Sequence, residues 1–77
     1  MFKALDTVVL KRDVPASGLR SGDLGAIVEV HDAEHFDVEF VAASGRTQAL
    51  VTLTSNDIRH VNDQDLVTVR SSQQAVG

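Results

Sequence analysis

The stretch GLRSGDLGAIVEVHDAEHFDVEF, residues 18–40, decides the fold of this chain. Three glycines, Gly18, Gly22 and Gly25, stand within eight residues, directly ahead of an apolar run. Such a cluster either cradles a phosphate or turns the chain sharply into a strand, and the residues after the last glycine separate the two. A Walker-type loop carries Lys-Ser or Lys-Thr there and opens a helix whose N–H groups hold phosphate. Gly25 is instead followed by Ala26 and Ile27. A dinucleotide loop also leads into a helix, and its first two glycines are one residue apart, a spacing Gly18 and Gly22 do not have. Gly18, Gly22, Asp23 and Gly25 therefore read as turn residues. Glycine there supplies a positive φ or a close backbone approach where the chain leaves and re-enters a sheet. The alternative is a local anion nest built on Arg20, Ser21 and Gly22.

After the glycines, residues 26–30 read as a strand with Ala26, Val28 and Val30 on one face and Ile27 and Glu29 on the other. The polar HDAEH of residues 31–35 reads as a hairpin connection. Phe36, Val38 and Phe40 then alternate with Asp37, Glu39 and Val41, the sharpest period-2 signal in the chain, so the phenylalanine side must be core. Upstream, residues 5–11 are rich in β-branched residues and read as a first strand. Pro15 then blocks ladder pairing. Downstream, Ser44-Gly45 is a turn and residues 47–53 a fourth strand. The TSND of residues 54–57 predicts one short helical turn before a last strand at 58–61. Residues 65–70 read as an added edge strand and 71–77 as a frayed end. Five short strands in a chain too small for a two-sheet sandwich predict an all-β, five-stranded small barrel over residues 1–61, with 62–77 as a C-terminal extension.

Bulk properties agree. Seventy-seven residues make one small domain, and 43% hydrophobic content allows a core. The absence of cysteine excludes disulfides and thiolate metal sites and suits a reducing cytoplasm. No apolar run reaches the roughly 18 residues of a membrane span. The first residues, with Asp6 among them, do not read as a secretory signal. Seven basic residues against eleven acidic ones give a net charge of −4, which a nucleic-acid backbone repels unless the basic residues cluster. They are scattered.

With these motifs in hand a resemblance emerges. GLRSGDLGAIVEV, FDVEF and LVTLTSNDIRHV, spread over residues 5–61, resemble a family of short prokaryotic proteins described as a domain of unknown function. Its pattern runs G-L-x-x-G-D-x-G-x-I/V-V-E-V, then an aromatic-x-V-E-F strand, then T-L and a closing D-I/L-R. The resemblance implies an SH3-like barrel, similar in outline to KOW-type modules. Members encoded beside toxin or nuclease genes imply an antitoxin or immunity role. Residues 62–77 depart from the pattern.

Catalytic equipment is sparse. His31 and His35 share one polar connection with Asp32 and Glu34. The motif lacks the glutamate that comes directly after the first histidine in zinc proteases. A hairpin setting the two histidines opposite each other, with an acid as third ligand, is the metal-binding alternative to a solvated loop. Asp57 and His60 resemble part of a triad, but Asp57 reads as a cap and His60 as a strand residue. The serines Ser17, Ser21, Ser44 and Ser55 sit in turn clusters without a G-x-S-x-G elbow. No enzyme activity, cofactor or metal is expected. Single-strand binding needs aromatics set in a basic groove. Of the three phenylalanines, Phe36 and Phe40 are needed inside and Phe2 is near a terminus. Proline-rich peptides need an aromatic groove, and there is no Trp or Tyr.

Charge is the most informative pattern. Glu29, Asp32, Glu34, Asp37 and Glu39 place five acids in eleven residues with no Lys or Arg among them. Alternation sends Glu29, Asp37 and Glu39 away from the core, so the second hairpin should carry a negative face. Exposed strands need polar residues in any case. The sharper expectation is a docking surface for a basic protein, where the field raises association rate and selectivity. The chain thus reads as a non-catalytic interaction module. The alternatives are a KOW-like nucleic-acid domain using Lys11, Arg12 and Arg20, and an accessory subunit packed on a larger enzyme. Homo-oligomerisation through residues 65–70 is a further option.

Overall fold

Alternating β-branched and aromatic residues make the strands, and short polar turns set their register. The computed structural model describes residues 1–72. Its strands are β1 (Thr7–Leu10), β2 (Leu24–Asp32), β3 (His35–Val41), β4 (Thr47–Thr54) and β5 (Ile58–His60). Neighbours are antiparallel, and the spatial order is β4-β3-β2-β1-β5. The sheet wraps one core. Val8 and Leu10 from β1, Ile27 from β2, Phe36, Val38 and Phe40 from β3, Leu53 from β4 and Ile58 from β5 bury together, joined by Leu19 from the β1–β2 connection. Every strand contributes, which is how so short a chain gathers a core.

The turns are closed by their own polar groups. Asp32 Oδ1 accepts the Glu34 N–H at 2.8 Å and lies 2.9 Å from His35 Nδ1, fixing the β2–β3 hairpin. Gly45, at φ 93°, turns β3 into β4. The helical turn expected within residues 54–57 is instead a tight turn. Asp57 Oδ2 accepts from the Thr54 N–H at 2.9 Å and from its hydroxyl at 3.1 Å, so the side chain closes it before a helix can start. The 3-10 turn among the described residues is Pro15–Ser17, which Gly18 ends with a left-handed φ of 71°.

Strand β2 departs from simple alternation. Ile27, not Val28, enters the core, and Val28 and Val30 are exposed. The register shift between Ile27 and Glu29 explains the facing of Ile27 and Val28. Val30, exposed as it is, stands opposite the buried Phe36, and a second shift lies between Val30 and Asp32. Val28 is the extra residue of a bulge, so Ile27 opposes Val38 while Val30 opposes Phe36. The bulge also turns Glu29 toward Asp37. Alternation alone does not show an inserted residue, and the expected face assignment fails there.

Strand β1 is covered on both sides. Val9 alternates with Val8 and Leu10, so it points away from the core, yet only 6% of it is exposed. It lines a groove with Leu24, Arg59 and Val61, and residues 65–70 lie over that groove. Residues 61–72 form no strand, in contrast to the edge strand expected at 65–70. Side-chain anchors take the place of a ladder. Arg59 grips both oxygens of Asp65 at 2.8 and 3.0 Å. Arg70 donates from Nε to Asp23 Oδ1 at 2.8 Å and from Nη2 to the Gly18 carbonyl at 3.0 Å. The result is a strap pinned at two points. Most of the segment expected to fray, 73–77, lies outside the described residues.

The strap carries a pH prediction. Arg59 and the Asn62 N–H hold the Asp65 carboxyl at about 2. A carboxylate depressed in the folded state contributes its stabilisation above its unfolded pKa, about 3.9, and loses it as pH falls through the folded value. The pair's contribution to stability should therefore decline below about pH 4, and the anchor itself should release over the interval around pH 2 in which Asp65 takes up its proton in the folded chain. Backbone resonances of residues 62–67 should shift over that interval. Their staying fixed while the anchor titrates would contradict a strap held by this pair.

Candidate docking face

The outward side of β2, β3 and β4 brings three of the predicted acids together. Asp37 stands between Glu29 on β2 and Thr52 on β4, and Glu39 between Ala26 and Leu50. None of the three strands carries a Lys or Arg. Hydroxyls steady the carboxylates: Thr52 Oγ1 donates to Asp37 Oδ1 and Thr47 Oγ1 to Glu39 Oε2, both at 2.6 Å. His31, the residue at the second register shift, has Nε2 2.9 Å from Asp37 Oδ1 and Nδ1 3.9 Å from Glu29 Oε2. The Thr52 hydroxyl, and after it His31, lowers the Asp37 pKa, so this carboxyl stays ionised. Conversely, hydrogen bonding to Asp37 and its charge raise the His31 pKa above 6.5. Val28, Val41 and Leu50 are exposed, with Leu50 at 59%. The carboxylates thus stand beside accessible aliphatic surface.

The other two acids do not join it. Asp32 and Glu34 sit at the β2–β3 tip, where Asp32 serves the turn and its pKa falls through the Glu34 N–H and then His35. Five acids close in sequence thus divide into a face of three and a tip of two, because two residues of the run are spent on reversing the chain.

The glycine cluster turns the chain. Gly18 and Gly22 have positive φ, whereas Gly25 has an ordinary φ and a packing reason. A Cβ on Gly25 would lie 2.7 Å from Val38 Cγ1 and 2.8 Å from Phe40 Cε2, so only glycine lets β1 and β2 close on the core here. The N–H groups an anion nest would offer are taken within the protein, that of Gly22 by the Leu10 carbonyl at 2.7 Å and the other two by carboxylates. Arg20 N–H donates to Asp23 Oδ2 and Ser21 N–H to Asp13 Oδ1, each at 2.8 Å. Burial raises the Asp23 pKa, but Arg70, the Arg20 N–H and nearby charge outweigh it and leave it lowered.

The histidines do not face each other. Asp32 pairs with His35 across the hairpin, and His31 turns to Asp37. Among the described residues no group of three or more His, Cys, Asp or Glu is placed to hold a metal ion. Asp57 and His60 go separate ways. Asp57 binds Arg12 Nε at 2.7 Å, while His60 stacks on Phe2 at 4.4 Å and reaches Asp6. Of the basic residues Lys11, Arg12 and Arg20, only Arg12 has its charge committed in this way, which reduces the proposed basic edge.

Three contributors to the face emerge only in the fold: Leu50, Thr47 and Thr52. Their strand, TQALVTLT, mixes apolar and hydroxyl residues without alternation. Only its register against β3 shows which of them flank the acids.

Residues 4–60 match the family described as Domain of unknown function (DUF4926). The chain belongs to that family. The DUF4926 match begins just before β1 and ends at the last residue of β5, so it takes in the whole sheet and leaves the strap outside. No curated protein and no solved structure matches the chain. No helix among the described residues is long and apolar enough to cross a membrane.

Proposed function

We propose that this protein is a non-catalytic, cytoplasmic binding module that docks a basic protein on the outward side of β2, β3 and β4. One observation carries the reading: Glu29, Asp37 and Glu39 converge on a face without a Lys or Arg, beside exposed Val28, Val41 and Leu50. The carboxylates steer a cationic partner and select its orientation, and the aliphatic patches give it surface to bury. The strand order supports an SH3-like barrel as the scaffold. The resemblance to proteins encoded beside toxin or nuclease genes supports an antitoxin or immunity-type partner. Capture of proteins from the native host at low salt tests this. The expected result is one stoichiometric basic protein released by salt. A bait that returns clean, or carries only nucleic acid, overturns it and favours the KOW-like alternative.

His31 makes the docking pH-dependent. Protonation adds a positive charge between Glu29 and Asp37, so affinity for a basic partner should fall as pH drops through the raised His31 pKa. Stability moves the other way: a histidine with a raised folded pKa adds stabilisation below 6.5 and loses it as pH rises through the folded value. His31→Gln should flatten the binding profile, and an unchanged slope would remove His31 from the face.

A further inference from the structure

The strap holds surface that the fold leaves uncovered. Leu66 is 88% exposed, Val67 75% and Val69 96%, all above Leu50, the most exposed large apolar residue of the strands. Thr68 between them is exposed as well, so residues 66–69 form a ribbon pinned only at its ends. The segment Asp-Leu-Val-Thr-Val-Arg is β-prone and uncharged between its ends, the profile of a strand that lacks a neighbour.

Its charge pattern says what the neighbour is. When two copies of residues 65–70 run antiparallel about a two-fold axis, Asp65 falls opposite Arg70 of the second copy. Leu66 then falls opposite Val69, and Val67 opposite Thr68. Both ends set acid against arginine, and the Arg59–Asp65 pair of one copy meets the Asp23–Arg70 pair of the other. Parallel pairing in register sets like charge against like, which is destabilising for residues directly opposite. We propose that residues 65–70 are a self-association strand through which two copies of this chain pair antiparallel in an isologous dimer. The paired ribbons lie over the groove that Val9 and Leu24 line, so the dimer adds a second layer to β1 and β2 rather than a free-standing hairpin. The groove borders the acidic face at Val41, and the inference rests on residues 65–70 rather than on Glu29, Asp37 or Glu39.

A six-residue ladder is smaller than the standard interface of about 800 Å² per partner, so the dimer is a weak, concentration-dependent one in about the micromolar to millimolar range. Sedimentation of the full chain over that range should show monomer giving way to dimer. Val67→Lys, at an exposed position, should weaken the dimer at least tenfold with the thermal transition unchanged. Register is read separately, because the chain contains no cysteine. Mixed Leu66→Cys and Val69→Cys chains should cross-link on oxidation. Leu66→Cys alone should not, its partner sulfur lying three residues away, about 10 Å. A monomer at every concentration, a dimer indifferent to Val67→Lys, or equal cross-linking in the single variant would overturn the proposal.

Discussion

Phe36→Ala is expected to destabilise the domain by about 3–5 kcal/mol. At about 0.05–0.15 kcal/mol per residue a chain of this size has about 4–12 kcal/mol in all, so the variant sits near the unfolding threshold. Phe36 is 1% exposed and lies at the meeting point of three strands, opposite Val30 on β2 and Leu53 on β4. Its ring also meets Phe2 edge-on at 5.5 Å, and Phe2 in turn stacks on His60, so the ring ties the N-terminal segment and β5 to the sheet. With few layers in so small a core, the walls cannot collapse into the space left behind. Urea unfolding measures the loss as a lower midpoint at unchanged slope. A loss below about 1 kcal/mol would show that Phe36 is not a packed core residue.

The second large effect concerns binding. Reversing two charges of the outer face, Asp37→Lys with Glu39→Lys, should weaken docking of the captured basic partner by about 100-fold. The size follows from coupling energies of about 1.5–7 kcal/mol for close interfacial charge pairs. It should also remove most of the salt dependence. Both side chains point away from the core, and the hydroxyls of Thr47 and Thr52 that they release turn to water. Replacing Asp37 also leaves His31 without its nearest acid, so unfolding is measured alongside. Glu29→Lys, at a more exposed carboxylate, gives a milder version of the same result. A binding titration with unchanged affinity in both variants would remove the acidic face from the interface.

These two effects rest on features the sequence exposes to different degrees. The core at Phe36, Val38 and Phe40 follows from alternation, because a strand with one wet face must separate its side chains that way. The five strands follow from the same signal together with turn residues whose side chains close each reversal, Asp32 and Asp57 above all. The bulge at Val28 does not follow, since an inserted residue shifts the pattern without marking itself, and the facing of Ile27 is lost with it. Nor does the strap: Arg70 and Asp23 meet across 47 positions by geometry alone, and a β-prone stretch at 65–70 reads as a strand whether or not a neighbour exists to pair it. The acids illustrate both cases. Alternation puts Glu29, Asp37 and Glu39 outside, while only register shows that Leu50 and the two threonines stand with them.

Which amides move when the captured basic protein is titrated into the isotope-labelled chain is the measurement closest to the central claim. Docking on the acidic face predicts shifts concentrated at Glu29, His31, Asp37, Glu39, Leu50 and Thr52, with Lys11, Arg20 and the 65–70 ribbon still. Shifts gathered on the ribbon or around Lys11 and Arg20, with the outer strands unmoved, would contradict it.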